Sequence, residues 1–311
     1  MTPSRSSTRP PSDQAGLAAP APTAGLLVST EWLQAHLTDA GLRVFDCTTH
    51  LVPDPVRTFR AETARPDWEK GHLPGAGYLD LIVELADRAS PYRFTMPSAE
   101  QFARAMSAHG VGPGTHVVVY SAKSIWWATR VWWMLRAFGF DDVSVLDGGW
   151  ETWTAEGRPV SSAPCTYPPA AFVARPRPTL LARTADVAAA MADPAVCTIN
   201  ALARKQHTGE SDVHYGRPGH IPGSVSVPFL ELVDRERNTF LPSDALRARL
   251  DAVGALKADR VVTYCGGGIA ATGVAFALAL LGRGDVAVYD GSLSEWCVDP
   301  ARPVERGETG P

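Results

Sequence analysis

Cysteine is scarce in this sequence of 311 residues, and no two of its 5 cysteines form a Cys-x-x-Cys pair. Cys47, Cys165, Cys197, Cys265 and Cys297 are odd in number and far apart, which excludes a zinc ribbon or a disulfide framework. A free reactive thiol belongs in a reducing compartment, so a cytoplasmic protein is expected. Long apolar runs are missing too. The stretch 269–281 is almost wholly apolar but too short to span a bilayer, so no membrane partner is expected. Positive charge is not in excess: 29 Lys and Arg stand against 33 Asp and Glu, a net charge of -4, which argues against nucleic acid as a partner. Residues 1–24 are rich in Pro, Ser, Ala and Thr and have no apolar core of a secretory signal; a disordered tail is expected there.

What is present converges on one stretch. Val261-Val262-Thr263-Tyr264 reads as a short buried strand, Cys265-Gly266-Gly267-Gly268 as a tight loop, and 269–281 as a buried helix. Glycines let the loop adopt conformations closed to other residues, and turn amide N–H groups inward. The helix start adds further free N–H groups and the positive end of its dipole. Such an environment stabilises negative charge on sulfur, and the thiolate is the nucleophile. A purely structural cysteine needs no three glycines beside it. Phosphate binding is excluded twice: no Lys follows the glycines, as a P-loop requires. The sixth residue after Cys265 is Ala271, not the arginine that would grip phosphate in a cysteine phosphatase.

Strand and helix patterns alternate along the chain, which predicts an α/β fold with parallel sheets. Ser29 or Thr30 and Ser98 are placed to cap helices. Strands are predicted at 117–120 and 143–146, and an aromatic helix at 126–138. Trp126, Trp127, Trp132 and Trp133 are too closely spaced to share one helix face and read as core and domain interface. Between 161 and 178 the prolines Pro164, Pro168, Pro169, Pro176 and Pro178 predict an extended linker. The second half then repeats the first. His220-Ile221-Pro222-Gly223 echoes His72-Leu73-Pro74-Gly75 at an offset of 148, Val261 echoes Val117 at 144, Asp290-Gly291 echoes Asp147-Gly148 at 143, and Arg302-Pro303-Val304 echoes Arg158-Pro159-Val160 at 144. Motifs in the same order at nearly one offset imply duplication. The expected domains are therefore 25–160 and 179–311. At offset 144, Cys265 falls on Ser121, the three glycines on Ala122-Lys123-Ser124, and Ala270-Ala271 on Trp126-Trp127. Only the second copy has the thiol.

These features resemble the two-domain rhodanese-like sulfurtransferases, from about Leu26 to Val304. The markers are the paired His-x-Pro-Gly turns, Asp87-Arg88-Ala89-Ser90-Pro91-Tyr92, Arg130-Val131-Trp132-Trp133, Leu146-Asp147-Gly148-Gly149, and Tyr289-Asp290-Gly291-Ser292 with Glu295-Trp296. The resemblance implies two tandem rhodanese-like domains, each a parallel sheet flanked by helices. It implies a loop of Cys265, Gly266, Gly267, Gly268, Ile269 and Ala270 cradling a persulfide, with no metal or organic cofactor. The Cys265 thiolate takes sulfur from a small donor, thiosulfate or 3-mercaptopyruvate, and hands it to cyanide, a thiol or a protein.

The family pattern also frames the departures. Thiosulfate enzymes of this family tend to carry Cys-Arg-Lys-Gly, and mercaptopyruvate enzymes Cys-Gly-Ser-Gly; Cys265-Gly266-Gly267-Gly268 is nearer the second. Family arginines that hold the donor's anionic group align with Leu202, Gln206 and Thr208, leaving Arg204, Lys205 or His207 as substitutes. His72 matches a family histidine that approaches the site from the first domain, whereas His220 reads as a turn histidine. The alternative to an enzyme acting on small donors is a persulfide carrier in a protein relay, which the missing arginines favour.

Overall fold

The computed structural model describes residues 24–54 and 58–308. Apart from Ala24, the expected tail lies outside them. The first half runs β1 (Leu27–Val28), α1 (Thr30–His36), β2 (Leu42–Asp46), β3 (Thr49–Asp54), β4 (Thr58–Thr63), α2 (Arg65–Lys70), β5 (Ala76–Tyr78), α3 (Ala99–Ala108), β6 (His116–Tyr120), α4 (Trp126–Ala137), β7 (Val143–Leu146) and α5 (Gly149–Ala155). The second half runs β8 (Leu181–Ala182), α6 (Thr184–Ala190), β9 (Val196–Asn200), α7 (Arg204–Thr208), β10 (Val225–Ser226), β11 (Val233–Asp234), β12 (Thr239–Phe240), α8 (Ser243–Asp251), β13 (Arg260–Tyr264), α9 (Ile269–Leu280), β14 (Ala287–Tyr289) and α10 (Ser292–Trp296).

Each half folds around a parallel five-stranded sheet, in the orders β1-β7-β6-β2-β5 and β10-β9-β13-β14-β8. Read from opposite ends, the two orders match strand for strand, so the sequence repeat is a repeat of fold. The central strands β6 and β13 carry Val117-Val118-Val119 and Val261-Val262, all buried, as parallel strands covered on both faces require. Ser29 and Ser98 cap α1 and α3: their hydroxyls accept the amides of Trp32 and Gln101, both at 3.1 Å.

The copies are not identical. β3 and β4 form an antiparallel hairpin that the sequence pattern does not announce; in the second copy, among the described residues, β9 leads without such a hairpin to α7, the counterpart of α2. The hairpin lacks the Asn-Gly or Asp-Gly pair that marks a tight turn, so its pattern carries little signal.

The halves meet through α4 and α9. Thr129 and Thr272 touch hydroxyl to hydroxyl at 3.1 Å, and Trp132 meets Phe276 edge to face at 4.7 Å. Trp127, Trp132 and Trp133 are buried and Trp126 half-buried, and one apolar cluster runs without a break from Phe45 to Val288. Two further contacts repeat across the interface. Asp147 accepts the amide of Phe240 at 3.0 Å, and Asp290 accepts that of Met96 at 2.7 Å.

The two aspartates differ in their company. Asp290 faces Arg130, whereas burial pushes Asp147 up to about 6, only partly offset by hydrogen bonds from the amides of Phe240 and Gly148. A carboxyl that holds its proton more tightly folded than unfolded contributes most at low pH. Its contribution is lost as pH rises from the unfolded value of 3.8 through about 6. Asp147→Asn keeps an acceptor for Phe240 and removes that loss. The variant is expected to be more stable than the parent by roughly 2 kcal/mol at neutral pH and to match it near pH 4. Denaturant titrations at both pH values measure the difference; a difference independent of pH would contradict the assignment.

Candidate active site

β13 ends at the carboxyl edge of the second sheet, where ligands bind in open parallel folds. Cys265 follows it directly and is 3% exposed. Gly268 has φ of 77°, a left-handed turn that favours glycine, and a methyl group there would come within 2.6 Å of the Asp290 carbonyl oxygen. The loop is braced by the segment between β14 and α10. The Ser292 hydroxyl accepts the amides of Cys265 and Gly268, at 3.0 and 3.1 Å, and donates to the Tyr289 carbonyl at 2.8 Å. The Leu293 amide donates to the Cys265 carbonyl at 3.1 Å, and the Ser294 amide and hydroxyl both donate to that of Gly266.

The sequence reading had several loop amides free to face sulfur. The structure commits two of them, those of Cys265 and Gly268, to Ser292. The amides of Gly266 and Gly267 have no acceptor among the described residues, and the first turn of α9 adds its own free N–H groups. The loop is thus a rigid cradle with a reduced but real set of donors for negative charge. Ser292 holds it from a strained backbone, φ 51°, which a non-glycine residue keeps only when its surroundings insist. Ser292→Ala strands both amides at once. Expected are a fall in kcat of about tenfold to a hundredfold and a loss of stability of about 1–3 kcal/mol, read by steady-state kinetics beside a thermal melt. Unchanged kcat would show that the loop holds its shape without this hydroxyl.

Two residues that sequence reasoning missed close over the loop. The Tyr215 ring lies so close to Gly266 that a methyl group there would fall 2.1 Å from its Cζ. Burial first, and then the charge on Cys265, push the Tyr215 hydroxyl up to about 12, while Arg93 pulls the other way. Arg93 comes from the first half; its carbonyl oxygen lies 3.9 Å from where a Cβ on Gly267 would be. Tyr215 therefore lies within electrostatic reach of both Cys265 and Arg93. Arg93 directly follows the Asp87–Tyr92 marker, and Tyr215 sits in an exposed-looking loop before the Gly219 turn, so neither had a spacing signal.

The other expected contacts lie elsewhere. Arg204 spends its fork on Glu308, with both bonds at 2.8 Å, and Lys205 is exposed on the same short helix. His207 is buried, stacked on His220 at 3.8 Å, and burial pushes it down to about 3, with His220 and Arg204 adding to the shift, so it is not a cation. Leu202 is buried, Thr208 bonds back to Lys205, and Gln206 bonds to Ala203 and Val213. His72, expected to reach across to the site, instead bonds through both ring nitrogens to the carbonyl oxygens of Trp68 and Ala163, at 2.7 and 3.0 Å. It is stacked on Trp68 and ties the turn to the start of the linker, as His220 ties its own turn to Glu305. Among the described residues no cluster of His, Cys, Asp and Glu could hold a metal ion.

The rhodanese-like domain model matches twice, over residues 29–156 and 204–299. The chain belongs to the rhodanese-like family. It is 34% identical over 295 residues to thiosulfate sulfurtransferase of Cricetulus griseus, covering 91% of this chain and 96% of that one. It is 35% identical over 296 residues to human 3-mercaptopyruvate sulfurtransferase, covering 91% and 97%. The crystal structure of SseA from Escherichia coli, described as a 3-mercaptopyruvate sulfotransferase of rhodanese fold, superposes with a TM-score of 0.76 at 30% identity, covering 86% of this chain and 99% of that one.

Proposed function

We propose that this rhodanese-like protein is a sulfurtransferase that takes a sulfane sulfur from a small donor onto Cys265 and passes it to a thiophilic acceptor such as cyanide or a thiol. The observation that carries this reading is the asymmetry of the duplicated loops. The second loop has a thiol, glycines and a Ser292 brace; the first has Ser121, whose hydroxyl donates to Ser124 of its own loop at 2.8 Å. In the first step the Cys265 thiolate attacks the outer sulfur of the donor. A sulfur–sulfur bond forms, and the donor's bond to that sulfur breaks, its electron pair leaving with sulfite or with the enolate of pyruvate. In the second step the acceptor attacks the terminal sulfur, and Cys265 leaves as thiolate.

The donor pocket is poor in cations. Arg130 reaches the loop but is paired with Asp290, Arg204 is paired with Glu308, and Arg93 is a further cation close enough to act on Tyr215 beside the loop. A single guanidinium suits the one charge of 3-mercaptopyruvate better than the two of thiosulfate. The expected result is a higher kcat/KM for 3-mercaptopyruvate than for thiosulfate, measured by cyanide-dependent turnover at matched ionic strength. Arg93→Ala is expected to raise KM for either donor by about tenfold or more, the worth of one charge-assisted hydrogen bond. Efficient turnover of thiosulfate at low concentration would overturn this donor preference while leaving the sulfurtransferase reading in place. No sulfur on Cys265 after incubation with either donor would favour a carrier loaded by a partner protein.

A further inference from the structure

The linker after the first domain does more than connect. Beyond Ser161 it lies across a groove at the β2–β5 edge of the first sheet. The Tyr167 hydroxyl donates to the Gly75 carbonyl at 2.6 Å and accepts the Val44 amide at 2.9 Å. Its ring lies beneath the Arg43 guanidinium, 4.7 Å away, and edge-on to Phe45 at 5.5 Å. Gly110 is under the chain: a methyl group there would come within 2.6 Å of the Pro168 carbonyl oxygen and 2.7 Å of Tyr167 Cβ. Further along, Ala170 and Phe172 donate their amides to Ser107.

The duplication puts the same groove on the second domain. Strand register fixes the correspondence: Arg43 pairs with Val117 as Cys197 pairs with Val261, and Phe45 pairs with Gly77 as Ile199 pairs with Val225. Cys197, Gly223, Val225 and Gly254 thus occupy the places of Arg43, Gly75, Gly77 and Gly110. Here they line an open groove of about 610 Å³. Nothing lies within 4 Å of a Cβ on Gly254, where its counterpart is covered by linker. Thr198, also in the lining, has a buried hydroxyl with no hydrogen-bond partner. At the repeat offset of 144 the place of Tyr167 falls to Pro311, outside the described residues and without aromatic ring or hydroxyl.

We propose that this second-domain groove docks an extended, proline-containing peptide with a tyrosine, supplied by another protein, in the manner in which Tyr167-Pro168 occupies the first-domain groove. The tyrosine supplies a ring for the apolar floor and a hydroxyl for the exposed strand-edge carbonyl of Gly223. Proline keeps the peptide extended before it binds, which lowers the entropic cost of docking.

Cys197 in the groove reports occupancy. The probe is a synthetic peptide of residues 165–172 with serine in place of its cysteine, added to the full chain while Cys197 is alkylated in mildly alkaline buffer and followed by mass mapping. At ten times the dissociation constant, alkylation of Cys197 is expected to slow about tenfold, with Cys297 unchanged. A peptide with alanine for the tyrosine is expected not to protect. Gly254→Asn, which tolerates the positive φ of 74°, and Lys257→Trp, on an exposed rim side chain, are both expected to abolish protection. No protection at any soluble peptide concentration overturns the proposal, as does equal protection by the alanine peptide or in both variants. Protection that appears without peptide as the protein is concentrated would assign the groove to a second copy of this chain, and overturns it equally.

Discussion

Cys265→Ser is expected to abolish sulfur transfer and to leave the fold in place. A serine hydroxyl is a weak nucleophile near neutral pH and cannot form the sulfur–sulfur bond on which both steps depend. Turnover should fall to the uncatalysed background, a loss on the order of 10⁶-fold or more on the general scale of enzymes. The structural cost is small. Serine is close to cysteine in size, its backbone amide keeps Ser292 as acceptor, and a buried hydroxyl in a loop with free amides finds partners. Stability should change by no more than about 1 kcal/mol. Three of the remaining thiols are poorly placed to stand in. Burial pushes Cys47 well up, Cys197 up to about 11 and Cys165 up as well, so each is a thiol rather than a thiolate at neutral pH. The decisive measurement is the intact mass after incubation with donor, with the added sulfur mapped by digestion. Sulfur on Cys47, Cys165, Cys197 or Cys297 in the variant, together with retained turnover, would refute the assignment of Cys265.

The repeat, the parallel α/β plan and the half that carries the cysteine–glycine loop were legible in sequence because each leaves a local pattern. A strand of three valines, a cysteine followed by three glycines, and a turn motif recurring at one offset need no tertiary knowledge. What closes the site is not local. Arg93 and Tyr215 lie about 170 and 50 positions from Cys265, and only domain packing brings Arg93 against the loop. Ser292 stood inside a recognised marker, yet nothing in its spacing says that its hydroxyl collects two amides from a loop 24 to 27 residues away. Arg204 and His72 show the opposite failure. Each looked available because a sequence displays charge without its partner, and Glu308, Trp68 and Ala163 had already claimed them.

Arg130→Met is expected to destabilise the protein more than any other change of one residue at the interface. The guanidinium is buried in the first half and points into the second. Its Nη1 lies 2.6 Å from Asp290 Oδ1, an ion-pair contact whose geometry is not that of an in-line hydrogen bond. The same nitrogen donates to the Gly268 carbonyl at 3.3 Å, Nη2 donates to the Phe94 carbonyl, and the plane faces Trp133. Phe94 is held at φ 61°, where a bulky residue sits only under constraint. Methionine fills the space but leaves the Asp290 carboxylate buried without its cation, a loss of about 3–5 kcal/mol. The melting temperature should drop on the order of 10 °C. Arg130→Lys should recover little, because one ammonium cannot reach the fork's separate acceptors. Adding Asp290→Asn to Arg130→Met should recover much of the stability, because the stranded charge is gone, while the Gly268 carbonyl still lacks its donor. The double variant should therefore melt near the parent and remain slow in kcat. That split separates the two roles of Arg130: the pair with Asp290 sets the stability of the domain interface, and the bond to Gly268 sets the shape of the cysteine loop. A double variant as unstable as the single one would show that the buried pair is not what Arg130 contributes.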